Sequence, residues 1–131
     1  MKEVVILVGY PGSGKSTYAK KLEEESEGSY YRVDGDQHKT PIAMVRDART
    51  NAGNRSVIFD STGGTLSRRS IFRKYAQERG APVRIVWVTT PLEVSLERNN
   101  QRPVPVPAIA FYTFRSRFEE PTSEEGELVK L

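Results

Sequence analysis

The sequence of residues 4–17 is VVILVGYPGSGKST, in which an apolar run of five residues precedes a glycine-rich segment. A short continuous apolar run is typical of a parallel strand that is buried on both faces. The segment from Gly9 to Ser16 then fits the phosphate-binding pattern G-x-x-x-x-G-K-S/T. Residues 15–25 have the apolar spacing of an amphipathic helix. The motif therefore lies between a predicted strand and a predicted helix, the context that a phosphate-binding loop requires.

This loop has the chemistry needed to hold the phosphates of a nucleotide. Its glycines allow the backbone to wrap closely around an anion, and the N–H groups at the start of the helix point at the β-phosphate. We expect Lys15 to neutralise β- and γ-phosphate oxygens of ATP, and the Ser16 hydroxyl to bind Mg²⁺. The predicted nucleotide-binding residues of the loop are Gly12, Ser13, Gly14, Lys15, Ser16 and Thr17. The alternative, a glycine-rich turn with a chance Lys-Ser pair, is disfavoured by the flanking strand and helix.

The composition is that of a folded globular protein. The residues are 37% hydrophobic and 28% charged, as in ordinary globular proteins. The length of 131 residues predicts a single domain over residues 1–131. The 20 Lys and Arg against 17 Asp and Glu leave a net charge of +3, enough for only mild attraction to polyanions. The chain has no cysteine, which excludes disulfides, zinc-thiolate sites and cysteine nucleophiles. The apolar runs are too short for a membrane span and no signal-peptide pattern is present, so we expect a soluble intracellular protein, cytoplasmic or nuclear.

Strands and helices alternate along the rest of the chain. Patterning predicts strands at 29–33, 56–59 and 83–88, and helices at 42–52, 67–79, 92–99 and 109–118. This order is typical of an α/β fold in three layers, a parallel sheet of about four to five strands with helices on both faces. Ligands bind such sheets at the carboxyl ends of the strands. We also expect a proline-rich lid near 98–107 and a polar C-terminal tail at 119–131.

The remaining sequence narrows the class to a small kinase. A chain of 131 residues leaves no room for the sensor regions of a ring ATPase, and the N-K-x-D pattern of GTPases is absent. A kinase needs an acid near the metal, a base for the acceptor hydroxyl and cations around the transferred phosphoryl group. Asp34 and Asp36 end the second strand and compete for the role of base, while Asp60 ends the third strand, where it can meet the hydration shell of Mg²⁺. Their alternative roles are helix capping and loop initiation.

Arg98 and Arg102 are the candidate cations. They are four residues apart, hence on one helix face if the helix continues that far. The planar donors of arginine suit the charge of a transferring phosphoryl group, and a solvated helix face is the alternative. A second basic cluster fits either a nucleic-acid backbone or solvent, and consists of Arg68, Arg69, Arg73 and Lys74.

Five segments of the chain share a pattern with one family of kinases. They are GYPGSGKST at 9–17, VDGD at 33–36, DST at 60–62, RNNQR at 98–102 and FEEPTSEEG at 118–126. Together they resemble the 5′-polynucleotide kinases, namely the phage enzymes and the kinase domain of animal end-healing enzymes, over most of the chain. The resemblance implies a P-loop kinase fold and transfer of the ATP γ-phosphate to a 5′-hydroxyl end of DNA or RNA in nucleic-acid repair. The phosphatase motif D-x-D-G-T of such enzymes is absent, so the implied activity is the kinase half alone.

The resemblance also implies roles for individual residues. These roles are ATP and Mg²⁺ binding for Lys15 and Ser16, general base for Asp36, phosphoryl stabilisation for Arg102, packing beside the nucleotide for Arg98 and water-mediated support of the metal for Asp60. Lys39 matches the place where the phage enzymes carry an arginine that binds the acceptor's 3′-phosphate. An ordinary surface lysine is the other interpretation of Lys39.

Some features keep other interpretations open. The family often has an arginine immediately before its base, where this chain has Gly35. The sequence Asp34-Gly-Asp-Gln-His38 also resembles gluconate and adenylylsulfate kinases, so a kinase for a small metabolite, sugar or antibiotic is the alternative. A nucleotide-binding module without catalysis is the third hypothesis. His38 itself fits either acceptor contact or a helix start. The aromatic residues of 111–115 have the spacing of core packing, and stacking on nucleic-acid bases is the alternative.

Overall fold

The computed structural model describes residues 2–131, which form five strands and five α-helices. The strands are β1 Val4–Val8, β2 Tyr30–Asp34, β3 Ser56–Asp60, β4 Val83–Trp87 and β5 Glu127–Lys130. The helices are α1 Lys15–Glu25, α2 Pro41–Asn51, α3 Leu66–Arg79, α4 Leu92–Asn100 and α5 Ala108–Arg117, and a short 3₁₀ helix, Gly35–Gln37, follows β2. Each element predicted from the sequence is present, with ends that differ by at most one residue. None of the helices within residues 2–131 is long and apolar enough to cross a membrane.

The strands form one parallel sheet in the order β2-β3-β1-β4-β5. β1 lies in the middle, where Val4 pairs with Val57 of β3 and Val83 of β4. The register between β2 and β3 places Asp34 directly opposite Asp60 at the carboxyl edge. The predicted α/β fold is therefore confirmed, and its ligand-binding edge gathers the ends of β1, β2 and β3.

The core fixes β1 and hence the loop that follows it. All five side chains of β1 are buried, and successive residues point to opposite faces of the sheet. Ile6 packs in a cluster with residues of α2 and α3, whereas Leu7 packs in a cluster with residues of α1. Complete burial of each such side chain contributes about 1.5–3 kcal/mol. The strand that carries the glycine-rich loop is consequently held on both faces.

Two segments differ from the sequence expectation. α4 ends at Asn100, so Arg102 lies in the turn that follows and does not share a helix face with Arg98. Pro103 is the physical reason, because the residue before a proline is disfavoured in the helical conformation. In addition, part of the expected tail at 119–131 forms β5, which pairs with β4 at the edge of the sheet. A strand of four residues is too short to give a clear periodic pattern.

Candidate active site

The backbone of the loop between β1 and α1 requires glycine. Gly12 and Gly14 have φ angles of 78° and 101°, in the left-handed region that other residues rarely adopt. α4 also packs closely on the loop, so a Cβ on Gly12 would come within 2.8 Å of the Ser95 carbonyl oxygen. The buried Ser13 accepts a hydrogen bond at its carbonyl from Thr90 Oγ1 at 2.7 Å. The loop is thus held by the segment after β4 and by α4.

Lys15 lies at the start of α1, and only 8% of its surface is exposed. Burial lowers the pKa of its ammonium group, while the nearby carboxylates of Asp60 and Asp36 partly oppose that shift. Arg102 adds a smaller lowering through like-charge repulsion. A cation in a site that excludes water attracts an anion more strongly than it would in bulk solvent. Lys15 is therefore placed to bind phosphate tightly.

Asp60 is buried at the end of β3 and held from two sides. The Ser16 hydroxyl donates to Asp60 Oδ1 at 3.3 Å, and Arg32 Nε donates to Oδ2 at 2.8 Å. A terminal guanidinium nitrogen of Arg32 forms an ion pair with the same oxygen at 2.6 Å. The sequence pattern does not predict a site role for Arg32, because its contact depends on the register between β2 and β3. The available signal was that Arg32 lies two residues before Asp34 and hence on the same face of β2.

Ser16 and Asp60 offer oxygen donors that suit Mg²⁺. This ion keeps several water ligands and binds proteins through one or two oxygens together with substrate phosphates. A hydroxyl and a carboxylate 3.3 Å apart beside a phosphate-binding loop fit that requirement. The Arg32 guanidinium fixes the orientation of the carboxylate. The donor set therefore fits the metal expected from the sequence.

Asp34 and Asp36 occupy different environments. Asp34 Oδ1 accepts a hydrogen bond from the Asp36 N–H at 2.9 Å, so Asp34 caps the 3₁₀ helix. The exposed carboxylate of Asp36 lines a cleft together with Lys15. Between them, Gly35 packs so closely on β3 that a Cβ would come within 2.7 Å of the Asp60 carbonyl oxygen. This contact leaves no room for an arginine at position 35.

The segment after α4 carries Arg102 over the phosphate-binding loop. The buried Asn99 fixes this segment, because its Nδ2 donates to the Val106 carbonyl at 2.7 Å and its Oδ1 accepts from the Val106 N–H at 2.9 Å. Arg98 donates to the Ser13 carbonyl at 3.4 Å. Both arginines therefore reach the loop, one from the helix and one from the turn. Sequence analysis did not single out Asn99.

One cleft of about 200 Å³ gathers most of the predicted residues. Its lining includes Lys15, Ser16, Asp34, Asp36, Asp60 and Arg102. Arg98 lines an adjoining opening, which includes Gly12, Gly14, Lys15, Ser16, Thr17 and Arg102. Lys39 is exposed and lines neither opening. His38 Nε2 lies 2.7 Å from Asp47 Oδ2 on α2, so the imidazole is engaged away from the cleft.

The basic cluster on α3 divides between different environments. Arg69 is fully buried, where its Nε donates to Glu125 Oε1 at 2.7 Å and its Nη1 donates to the Gly63 carbonyl at 2.8 Å. Arg73 donates to the Glu125 carbonyl at 3.1 Å. Arg68 instead lines the cleft that contains Asp36. The cluster is therefore not one continuous basic surface.

Comparison with known proteins identifies the family. The model of the AAA domain family matches residues 4–53 and 38–121, which include the phosphate-binding loop and the segments that carry Asp36, Asp60 and Arg102. The chain belongs to this family of P-loop kinases. The recognition of a P-loop kinase from the sequence motifs is thereby confirmed.

A curated relative supports the resemblance to polynucleotide kinases. The bifunctional polynucleotide phosphatase/kinase of Schizosaccharomyces pombe is 36% identical over 133 residues. The match covers 95% of this chain and 32% of that protein, so the chain spans about a third of the length of the relative.

Kinases that are named for other substrates are also similar to this chain. The shikimate kinase of Persephonella marina is 28% identical over 120 residues, which cover 76% of this chain and 71% of that enzyme. The crystal structure of a gluconokinase from Sinorhizobium meliloti 1021 superposes with a TM-score of 0.74 at 19% identity, over 98% of this chain and 81% of that chain. The fold is therefore shared by kinases that differ in acceptor, and the acceptor has to be inferred from the site.

Proposed function

We propose that this chain transfers the γ-phosphate of ATP to the 5′-hydroxyl end of a DNA or RNA strand, as the kinase half of an end-healing enzyme. One observation carries the proposal: Lys15, Asp36 and Arg102 line a single cleft. Phosphoryl transfer requires phosphate-binding cations and a base for the attacking hydroxyl within reach of the same phosphorus atom. This cleft combines them.

The reaction follows from the positions of these groups. Asp36 accepts the proton of the 5′-hydroxyl as its oxygen attacks the γ-phosphorus in line. The new oxygen–phosphorus bond forms while the bond from the γ-phosphorus to the bridging oxygen breaks, and ADP leaves with that electron pair. Lys15 and Arg102 neutralise the charge on the transferred group and the leaving oxygens. Ser16, with Asp60 beside it, would hold Mg²⁺, which would supply further neutralisation of phosphate charge. The exposed Asp36 returns its proton to solvent.

The nucleic-acid acceptor is supported by similarity in sequence. The S. pombe relative that is named for a polynucleotide kinase is 36% identical and covers nearly the whole chain. The FEEPTSEEG segment at 118–126 adds to this support, since it lies outside the phosphate-binding loop that all P-loop kinases share. Nucleic-acid repair is the process in which such an activity would act.

A kinase for a small metabolite is the second candidate. The similarity to a shikimate kinase and to the fold of a gluconokinase favours it, as does the sequence Asp34-Gly-Asp-Gln-His38. The contact between His38 and Asp47 weighs against it, because the imidazole is engaged with α2 rather than directed at an acceptor.

A transfer assay distinguishes these candidates. The protein is incubated with γ-labelled ATP, Mg²⁺ and one acceptor at a time: a 5′-OH DNA oligonucleotide, a 5′-OH RNA oligonucleotide, shikimate or gluconate. We expect label on the 5′ end of an oligonucleotide, and none with Lys15→Ala. Label on a small alcohol alone would favour the second candidate, and ATP binding without transfer to any acceptor would favour a non-catalytic module.

A further inference from the structure

A groove leads away from the active cleft between the start of α3 and α5. Its volume is about 300 Å³, which lies within the range of ligand-binding pockets. Its lining includes Gly64, Thr65, Thr113, Phe114 and Arg117. Pro11, Thr62 and Arg68 line both this α3–α5 groove and the active cleft. A ligand whose end lies beside Asp36 can therefore extend into the groove.

Two arginines of the α3–α5 groove have no carboxylate partner. Arg68 and Arg117 are exposed, and within residues 2–131 neither guanidinium has a carboxylate oxygen within 4.0 Å. The neighbouring Arg69 differs, because Glu125 lies 2.7 Å from it. The planar donors of Arg68 and Arg117 consequently stay available to an external anion.

The groove also contains an aromatic ring, Phe114, that is held in place by its neighbours. The Phe114 ring packs on Tyr10 with ring centroids 4.6 Å apart and on Phe118 at 5.2 Å. Phe111 in the same helix is fully buried and therefore packs in the core, as expected for the aromatic residues of α5. Phe114, in contrast, also borders the groove. A fixed aromatic ring offers a surface for a base or sugar of any sequence.

The placement of these groups suits a polynucleotide. Arg68 lines both the active cleft and the groove, whereas Phe114 and Arg117 line the groove alone. A strand whose terminal hydroxyl is at Asp36 presents, beyond its terminal nucleoside, a phosphate, a second nucleoside and a second phosphate. A small acid with a single anionic group would leave the second arginine without a partner.

We propose that Arg68 and Arg117 bind successive phosphates of the acceptor strand, with Phe114 against the nucleoside between them. This inference rests on the proposed polynucleotide acceptor and names the residues that recognise it. It moves acceptor binding from Lys39, which lines neither the active cleft nor the groove, to α3 and α5. Position 35 cannot supply the contact, because Gly35 has no space for a side chain.

Alanine substitution at each arginine tests the proposal. Arg68→Ala and Arg117→Ala are each expected to raise the KM for a 5′-OH oligonucleotide about tenfold, the loss of one charge-assisted hydrogen bond, while the KM for ATP stays unchanged. Arg68→Lys should raise the oligonucleotide KM less than Arg68→Ala does. The matched controls are Lys74→Ala on α3 and Arg115→Ala on α5, exposed cations that do not line the groove. Each arginine variant should also lower the salt dependence of oligonucleotide KM by about 0.7 in the log–log slope, and the controls should not.

The outcomes separate this inference from the proposed function. If wild type phosphorylates the oligonucleotide and both arginine variants behave like the controls, the groove is not the acceptor site, although the proposed function stands. If wild type transfers phosphate to no oligonucleotide, the proposed function is wrong and the inference fails with it. The two phosphate contacts are supported if the arginine substitutions raise the KM for a trinucleotide more than the KM for a nucleoside without phosphate.

Discussion

Lys15 is a charged side chain almost closed to water, and its burial lowers the pKa of the ammonium group. The folded protein therefore holds this proton less tightly than the unfolded chain does, so the charged lysine costs stability below its native pKa. The cost disappears as the pH rises through the native pKa toward the ordinary value of 10.5. We expect Lys15→Met, without nucleotide, to melt at a higher temperature than wild type near neutral pH, and this difference to shrink in alkaline solution.

Thermal unfolding of both proteins from neutral to alkaline pH, followed by circular dichroism, measures this effect. Lys20→Met is the control, because Lys20 lies exposed on the same helix. This substitution should leave the melting temperature close to that of wild type at each pH. A Lys15→Met protein that is less stable than wild type by the same amount at every pH would show that the buried charge carries no such cost.

Single residues also mark the limit of prediction from sequence. Lys15 could be identified from the glycine-rich motif, and Asp36 and Asp60 from their positions at or just after the ends of strands, since the ends of parallel strands meet at one edge. Arg32 could not, because its contact with Asp60 depends on which strands are neighbours and in what register. The acceptor-binding role of Lys39 is predicted from the resemblance alone, and Lys39 does not line the cleft.

At the scale of elements, α4 and the turn after it act as a unit. The buried Asn99 at the end of α4 makes two hydrogen bonds to Val106 and so fixes the segment that carries Arg102. We expect Asn99→Ala to lower kcat for phosphate transfer about 10- to 100-fold, since displacement of a catalytic group by about 1 Å costs up to that much. Steady-state kinetics beside Asn100→Ala, an exposed neighbour, provides the measurement and its control.

A double variant tests whether Asn99 acts through Arg102. If it does, Asn99→Ala combined with Arg102→Ala should be no slower than Arg102→Ala alone, because the positioned group is already missing. Rate losses that simply multiply would instead mean that Asn99 supports the enzyme by another route.

The end of α4 illustrates why the boundaries of helices are harder to predict than the helices themselves. Arg98 and Arg102 were expected on one helix face, but the proline at 103 ends the helix before the second arginine. Both still reach the phosphate-binding loop. Arg98 does so from α4 itself, and Arg102 from the segment that the Asn99 contacts hold. The path of that segment depends on a side chain's tertiary contacts, which periodicity does not encode.

At the scale of the whole molecule, a buried ion pair joins the C-terminal segment to α3 and to the loop after β3. Arg69 of α3 is fully buried against Glu125, which lies two residues before β5, and also donates to the Gly63 carbonyl. Glu125→Ala would leave the Arg69 charge buried without a partner, which costs about 3–5 kcal/mol. We expect that loss in the free energy of unfolding, measured by urea denaturation.

Glu124→Ala is the matched control, since Glu124 is adjacent but exposed. It should change the unfolding free energy by less than about 0.5 kcal/mol. An equal effect of both substitutions would mean that the ion pair does not hold the segment. The resemblance includes residues 118–126, yet only the fold shows that Glu125 pairs with the buried Arg69.

The claim that one cleft holds both the phosphoryl donor and the base for its acceptor is tested most directly by Asp36→Asn. Phosphate transfer from γ-labelled ATP to a 5′-OH oligonucleotide is measured alongside ATP binding, for wild type and variant. The account predicts a transfer rate about 10²–10⁴-fold lower in the variant, with ATP affinity nearly unchanged. A variant that transfers phosphate at the wild-type rate would contradict it.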